Sequence, residues 1–318
     1  MINFKYPHKI NIANIPSPIQ KVTFNGKGFW IKRDDLTGLE MTGNKVRKLE
    51  FLLADAKRKK ADLIFTCGGE QSNHARATAF AGKSLGFDVK LFLWGKDSPK
   101  ADGNLFLNKV IRTDLEFITR KEYADVDQIM EQQKLQFEKL GRKVYIVKEG
   151  GSSELGVWGY VNALQEILNQ KGNNFNSILT ASGSGGTNAG LLIGANLFNK
   201  RIKIIGINVL YTAEYMRNRT LELVERTIKK FNLKIKLDEK LLEVIDGYST
   251  EGYKNINHDK INIIRDFAGQ TGILLDPAYT GKAFCAYNEL FLNNNSKTLF
   301  IHTGGIFGAF AKKMNYLD

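Results

Sequence analysis

Apolar residues along this chain fall into short continuous runs, and stretches with helical spacing separate the runs. Leu63–Cys67, Val89–Trp94, Val144–Val147, Ser177–Thr180, Ile202–Val209 and Leu299–Ile301 are compact apolar runs of the kind that become strands buried on both faces. Ala75–Leu85, Trp158–Leu168 and Ala189–Phe198 carry apolar residues at helical intervals, as do Leu49, Leu52, Leu53 and Ala56 after Asn44. Pro16–Lys32 begins extended and ends in the strand-like run Gly28–Lys32, followed by the polar turn Arg33–Gly38. Tyr211–Lys240 is helix-like and rich in lysine, with no function readable from it. Strand–helix alternation predicts an α/β fold, with mostly parallel sheets covered by helices on both faces. There is no internal repeat and no low-complexity segment. The Gly150–Ser153 turn is the best candidate hinge, although composition does not place a boundary there.

The 318 residues are enough for two domains, and 43% hydrophobic with 25% charged residues is ordinary for a soluble globular protein. The net charge of +13 admits nucleic acid as a partner, but it equally suits a pocket for small anions. The basic residues are scattered, apart from Lys57–Lys60 at the far end of the predicted 44–56 helix, where cations suit the helix dipole. No aromatic–basic pattern of a nucleic-acid module is present. Cys67 and Cys285 form neither a disulfide framework nor a zinc pattern, and Cys67 is expected to be a small buried residue. No stretch is long enough to cross a membrane and the N-terminus lacks a secretory apolar run, so a cytoplasmic protein is expected.

The chemistry concentrates in loops at strand ends. In Gly43-Asn44-Lys45-Val46-Arg47-Lys48, Asn44 reads as a helix N-cap, yet three cations crowd a first turn where the dipole is positive. A lysine so placed loses its proton more easily and can serve as a Schiff-base nucleophile. Taken alone, the same residues also read as a basic, solvated helix end. Gly68–His74 leads from a strand to a helix, with Ser72 and Asn73 available either as caps or as ligands for a carboxylate or phenolic oxygen. His74 has no metal-spaced partner, so no metal site is expected. Ala181–Gly190 lines up small residues whose N–H groups make an anion cradle. Asn188 stands where a dinucleotide fingerprint needs glycine, and no Lys-Ser/Thr pair follows Gly186, so one phosphate fits better than a pyrophosphate. Asp276-Pro277 sets Tyr279 at a loop-to-helix junction, and Gly304-Gly305 after the last strand lets backbone approach a ligand closely. An amine nucleophile with a single-phosphate cradle suggests pyridoxal phosphate.

Arg33-Asp34-Asp35, Gly43–Glu50, Gln71–His74, Glu149–Ser152, Gly183–Gly190 and Asp276–Lys282 occur in the order found in one family. Together they resemble the D-cysteine desulfhydrase and 1-aminocyclopropane-1-carboxylate (ACC) deaminase family of fold type II pyridoxal phosphate enzymes, over residues 10 to 310. The resemblance implies two open three-layer αβα domains, a large cofactor-binding one from 1–44 and 159–318 and a smaller substrate-closing one from 45–158. It implies a homodimer that acts on a small amino acid. It makes Lys45 the Schiff-base lysine, with Ser72 and Tyr279 also catalytic. Asn73 would bond the phenolic oxygen of the cofactor, and Ser184, Gly185, Gly186 and Thr187 would hold its phosphate. Thr280 and Thr303 would lie near the ring nitrogen. Gln71, Ser72, His74, Tyr253 and Tyr279 would face substrate, with Tyr248 an alternative to Tyr253. ACC deaminases carry Glu, Leu and Gln where this chain has Thr280, Thr303 and His74, so the chain resembles the desulfhydrase branch. The implied reaction is β-elimination from a small D-amino acid, foremost D-cysteine to pyruvate, sulfide and ammonia, with ACC deamination, or another β-substituted amino-acid lyase or a racemase of the same fold, as the alternatives.

Overall fold

Two sheets hold every strand in the computed structural model, which describes residues 4–170, 174–252, 255–294 and 297–317. The chain starts with the antiparallel pair β1 (Ile19–Phe24) and β2 (Lys27–Arg33), then turns into α1 (Asn44–Arg58). A contiguous segment next builds a parallel four-stranded sheet: β3 (Leu63–Gly69), α2 (Asn73–Ser84), β4 (Asp88–Trp94), α3 (Gly103–Val110), β5 (Asp114–Ile118), α4 (Val126–Lys139) and β6 (Val144–Val147). Its strand order is β5-β4-β3-β6. The chain then returns through α5 (Trp158–Asn169), β7 (Ser177–Ser182), α6 (Gly186–Leu197), β8 (Lys203–Asn208), α7 (Ala213–Lys230), β9 (Leu242–Ile245), α8 (His258–Thr271), α9 (Thr280–Leu290) and β10 (Thr298–His302). The larger sheet runs β1-β2-β10-β7-β8-β9, with β10 inserted in parallel between β2 and β7.

Side-chain alternation on the strands feeds a separate core on each face. On β7 and β8, Ile178 and Ile204 join Trp158, Leu164 and Leu191 of α5 and α6, while Leu179, Ile205 and Ile207 join Phe267, Phe284 and Tyr287 of α8 and α9. On β3, Ile64 packs with Leu49 and Leu53 of α1 and Ala75 and Ala79 of α2, while Leu63 and Phe65 face Met130 of α4. Helix α1 packs on α2 and on α5, and so joins the two sheets. No helix among the described residues is long and apolar enough to cross a membrane.

The start of α1 departs from the sequence reading. Gly43, not Asn44, caps the helix, and its N–H and C=O both bond the Thr37 hydroxyl at 3.0 Å. Asn44 is already helical and donates instead to Thr187 Oγ1 at 3.1 Å. Arg47 points away from the first turn into a buried ionic cluster. It donates to both oxygens of Asp34 (3.0 and 2.8 Å) and reaches Glu166 at 2.8 Å. Tyr160 (2.6 Å) and Ser17 (2.7 Å) also donate to Asp34, and Lys32 meets Glu166 at 2.5 Å. Burial pushes the Asp34 carboxyl up, but Arg47 and Lys32 outweigh it and hold Asp34 below its ordinary range.

Candidate active site

The carboxyl ends of β3, β7 and β10 converge on a cavity of about 900 Å³, open mouth included, and the first turn of α1 forms one wall. Such a crevice outside the strand ends of a parallel sheet is the usual ligand position in open α/β folds. Lys45 projects into it and makes no hydrogen bond or ion pair with the described residues. Burial pulls its ammonium down to about 8, against an opposing pull from the Glu149 carboxylate. The low value therefore comes from desolvation rather than from the cationic crowding read in the sequence, since Arg47 is paired elsewhere. Arg76 of α2, itself buried, donates to the carbonyls of Glu40 and Thr42 and steadies the turn that leads to Lys45.

The opposite wall is the start of α6. Gly185 stands at φ +80°, and a Cβ there would lie 2.9 Å from the Thr220 hydroxyl. The left-handed turn leaves the first N–H groups of α6 unbonded within the helix and aimed outward, as an anion site requires. Ser184 Oγ meets Ser152 Oγ at 2.8 Å, and both Ser184 and Thr187 line the cavity. Gly186 lies just behind: a Cβ there would come within 2.8 Å of Lys48 Nζ. Lys48 is buried, donates to Gly150 O at 3.1 Å and Ser152 Oγ at 3.3 Å, and has no carboxylate partner among the described residues. Burial holds its amine well below the ordinary range, and the charges of Lys45 and Arg219 add to the effect. The Ser182 hydroxyl and the Asn188 amide also line the cavity, buried and without a hydrogen-bond partner among the described residues. A buried amine that a nearby dianion would keep protonated, with orphaned polar atoms around an N–H cradle, fits a bound dianion.

Between these walls lie the residues at the start of α2. Ser72 caps the helix, accepting from Ala75 N at 3.1 Å, and Asn73 Oδ1 accepts from Asn104 at 3.0 Å. His74 Nε2 lies 2.9 Å from the Thr66 hydroxyl, whose proton goes to Val147 O, so the ring nitrogen donates. Burial, with Lys45 and Lys48 nearby, keeps the imidazole neutral. The Tyr279 ring closes the far side above Gly183, and Thr303 and Gly304 complete the wall at β10.

Two of the residues named by the resemblance do not line this cavity. Gln71 does not line this cavity: its side chain donates to Asp102 O at 3.0 Å and accepts from Asn104 N at 2.9 Å, holding the start of α3. Thr280 is wholly buried behind the wall, with its hydroxyl 2.6 Å from Asp276 Oδ1. The Asp276 carboxylate also takes the N–H groups of Ala278, Tyr279 and Thr280 at 2.8–3.0 Å, a nest that fixes the backbone carrying Tyr279. Tyr253 lies outside the described residues, and Tyr248 is hydrogen-bonded to Glu289 at 2.7 Å, away from the cavity. The sequence reading had assigned no role to Lys48, Glu149, Trp94, Arg120 or Tyr211. Trp94 ends β4, and its place at a strand's carboxyl end was the one available signal.

Comparison with known proteins agrees with this geometry. Residues 10–304 match the profile of the family described as pyridoxal-phosphate dependent enzyme. A bifunctional D-cysteine desulfhydrase/ACC deaminase of Arabidopsis thaliana, named as mitochondrial, is 35% identical over 96% of this chain and 80% of its own length. A D-cysteine desulfhydrase of Salmonella choleraesuis is 33% identical over 95% of both chains. A crystal structure titled as an ACC deaminase homologue superposes with a TM-score of 0.91 at 38% identity, covering 98% of this chain and 96% of its own.

Proposed function

Because this chain belongs to the pyridoxal-phosphate-dependent enzyme family, as a lyase of the ACC deaminase and D-cysteine desulfhydrase type, we propose that it eliminates the β-substituent of a small D-amino acid. D-cysteine is the substrate we favour, giving pyruvate, sulfide and ammonia. One observation carries the reading: an amine drawn down to about 8 faces an anion cradle across a single cavity. When bound, pyridoxal phosphate supplies a carbonyl carbon for an amine and a ring that takes up the electron pair left at Cα.

The α6 N–H groups, Ser184, Thr187 and Lys48 would hold the phosphate. Asn73 would meet the phenolic oxygen, and Thr303 would lie nearest the ring nitrogen. Ser72 and the backbone N–H groups beside it would receive the substrate carboxylate, with the neutral His74 close by and its one N–H given to Thr66. Lys45 is close enough to its own pKa at neutral pH to take the Cα proton onto Nζ and hand it to the departing sulfide. Tyr279, held by the Asp276 nest, would face the departing group. We take the four-stranded sheet as the core of the smaller, substrate-closing domain.

A neutral threonine hydroxyl does not stabilise a protonated ring nitrogen as a carboxylate would. Expelling sulfide needs no such strong electron sink, whereas opening a cyclopropane is the more demanding reaction. The only carboxylate lining the cavity among the described residues is Glu149. Assays for pyruvate and 2-oxobutyrate should therefore show sulfide and pyruvate from D-cysteine and little 2-oxobutyrate from ACC. Efficient ACC turnover would overturn the branch assignment. Grafting Glu at position 280 to mimic an ACC deaminase would add a second carboxylate beside the buried Asp276, so Thr303→Leu alone is the cleaner exchange.

The cradle has its own test. Gly185→Asp places a Cβ at left-handed φ and a negative charge where N–H groups should meet a dianion. Cofactor affinity should fall by about 2–3 kcal/mol in a spectroscopic titration. Gly185→Asn tolerates the backbone conformation better and adds no charge, so it should lose much less. Equal affinity in all three proteins would reduce the loop to a structural turn.

A further inference from the structure

We propose that Glu149 is a positioning residue for Lys45, a counter-charge fixed across the cavity that stabilises the Lys45 ammonium and so governs how readily this amine is freed. The inference rests on the proposed role of Lys45 but concerns a residue to which that reading gives no task. Glu149 opens the single turn Glu149–Gly151 that follows β6. Gly150 in this turn stands at φ +65°, and a Cβ there would strike the Ser184 side chain, so the turn seats against the cradle only with glycine at that position. The carboxylate beside it is held by donors from two other elements. Tyr123 OH donates to Oε1 at 2.8 Å, and Arg219 Nη2 of α7 lies 3.4 Å from Oε2. Glu149 is thus oriented without touching Lys45, and the amine stays free to react.

Every other group facing Lys45 is neutral or cationic. His74 of α2 is held neutral, and Lys48 lies one turn along α1. Arg219 of α7 is spent on Glu149, and Arg120 stacks 4.5 Å above the Trp94 ring. Burial keeps the phenols of Tyr123 and Tyr211 protonated, and Tyr279 and the serine and threonine hydroxyls on the wall carry no charge. Glu149 therefore supplies the cavity's one negative charge among the described residues. Its side chain is 33% exposed, so solvent screens part of that charge, and the expected effect is a tuning of Lys45 rather than a switch.

Competitive acetylation of the full-length chain before cofactor is added, read at the Lys45 peptide by mass spectrometry, gives the titration of that amine directly. The unaltered protein should show a midpoint near 8. In Glu149→Gln the midpoint should fall by about one unit, making Lys45 roughly fivefold more reactive at pH 7. Glu149→Asp should recover most of the difference. Arg219→Gln, at a partly exposed position that should not threaten folding, should move the midpoint the opposite way by unmasking the carboxylate. In the loaded enzyme the acid limb of kcat, which reports the complex in which Lys45 is freed, should shift in the same direction as the amine. A Lys45 midpoint that stays in place in both Glu149→Gln and Arg219→Gln overturns the proposal. Borohydride fixation of the cofactor on a different lysine overturns the reading of the site instead, and the two results are obtained independently.

Discussion

Lys45→Ala should abolish turnover, lowering kcat by a factor on the order of 10³ or more, while the chain stays folded and still takes up cofactor through the phosphate cradle. Lys45 faces the open cavity with an amine that has no hydrogen bond or ion pair among the described residues to lose. Its removal should even raise stability near neutral pH. A lysine whose folded-state pKa lies below its unfolded value penalises folding fully below the folded value, about 8 here, and the penalty fades as pH rises toward the unfolded one. Lys48→Ala is the informative companion. It removes the buried cation beneath Gly186, so it should weaken cofactor binding and leave the bound chromophore attached to Lys45. Peptide mapping after borohydride reduction decides the matter. Label on Lys48, or on Lys282, whose amine bonds Gly252 O at 2.7 Å, would refute the assignment.

Arg47→Met should cost about 3–5 kcal/mol in urea denaturation, the second large effect, because it strands a fully buried Asp34. Lys32 would still hold Glu166, but the nearest charge to Asp34 would be gone. The stranded carboxyl should then titrate above its unfolded value, which makes the variant's deficit grow as pH rises and shrink toward about pH 4. Adding Asp34→Asn should recover part of the loss at neutral pH, since an amide needs no counter-ion. A double variant no better than the single one would show that Arg47 acts through packing and Glu166 rather than through Asp34.

Local patterns carried the sequence reading wherever both faces of an element are buried. Leu63–Cys67 and Ser177–Thr180 are legible because core lies on either side of them, and Trp158–Leu168 because α5 is wedged between α1 and α6. Edge elements gave a fainter signal. Strand β1 alternates polar with apolar and reads only as extended chain, β5 carries Asp114 and Glu116, and α4 buries just Val126 and Met130. The site divides the same way. The Gly183–Thr187 cradle and Lys45 are each local in sequence, so their chemistry can be read from neighbours along the chain. Arg47 was misjudged because its counter-ions, Asp34 and Glu166, lie far off in sequence. Nothing local to Thr280 shows that Asp276 claims its hydroxyl.

The position of β10 between β2 and β7 has a consequence for synthesis on the ribosome. Trp30 pairs with Leu299 and Ile31 with Phe300, so β2 is made long before β10 and waits for that partner. The four-stranded sheet has no such dependence, because its strands emerge consecutively and can pair while the rest of the chain is still being made. Thr303, whose carbonyl receives the Asn44 N–H at the first turn of the lysine helix, arrives with that last strand. The nascent chain therefore carries Lys45 without the wall that completes the cavity until β10 has left the exit tunnel.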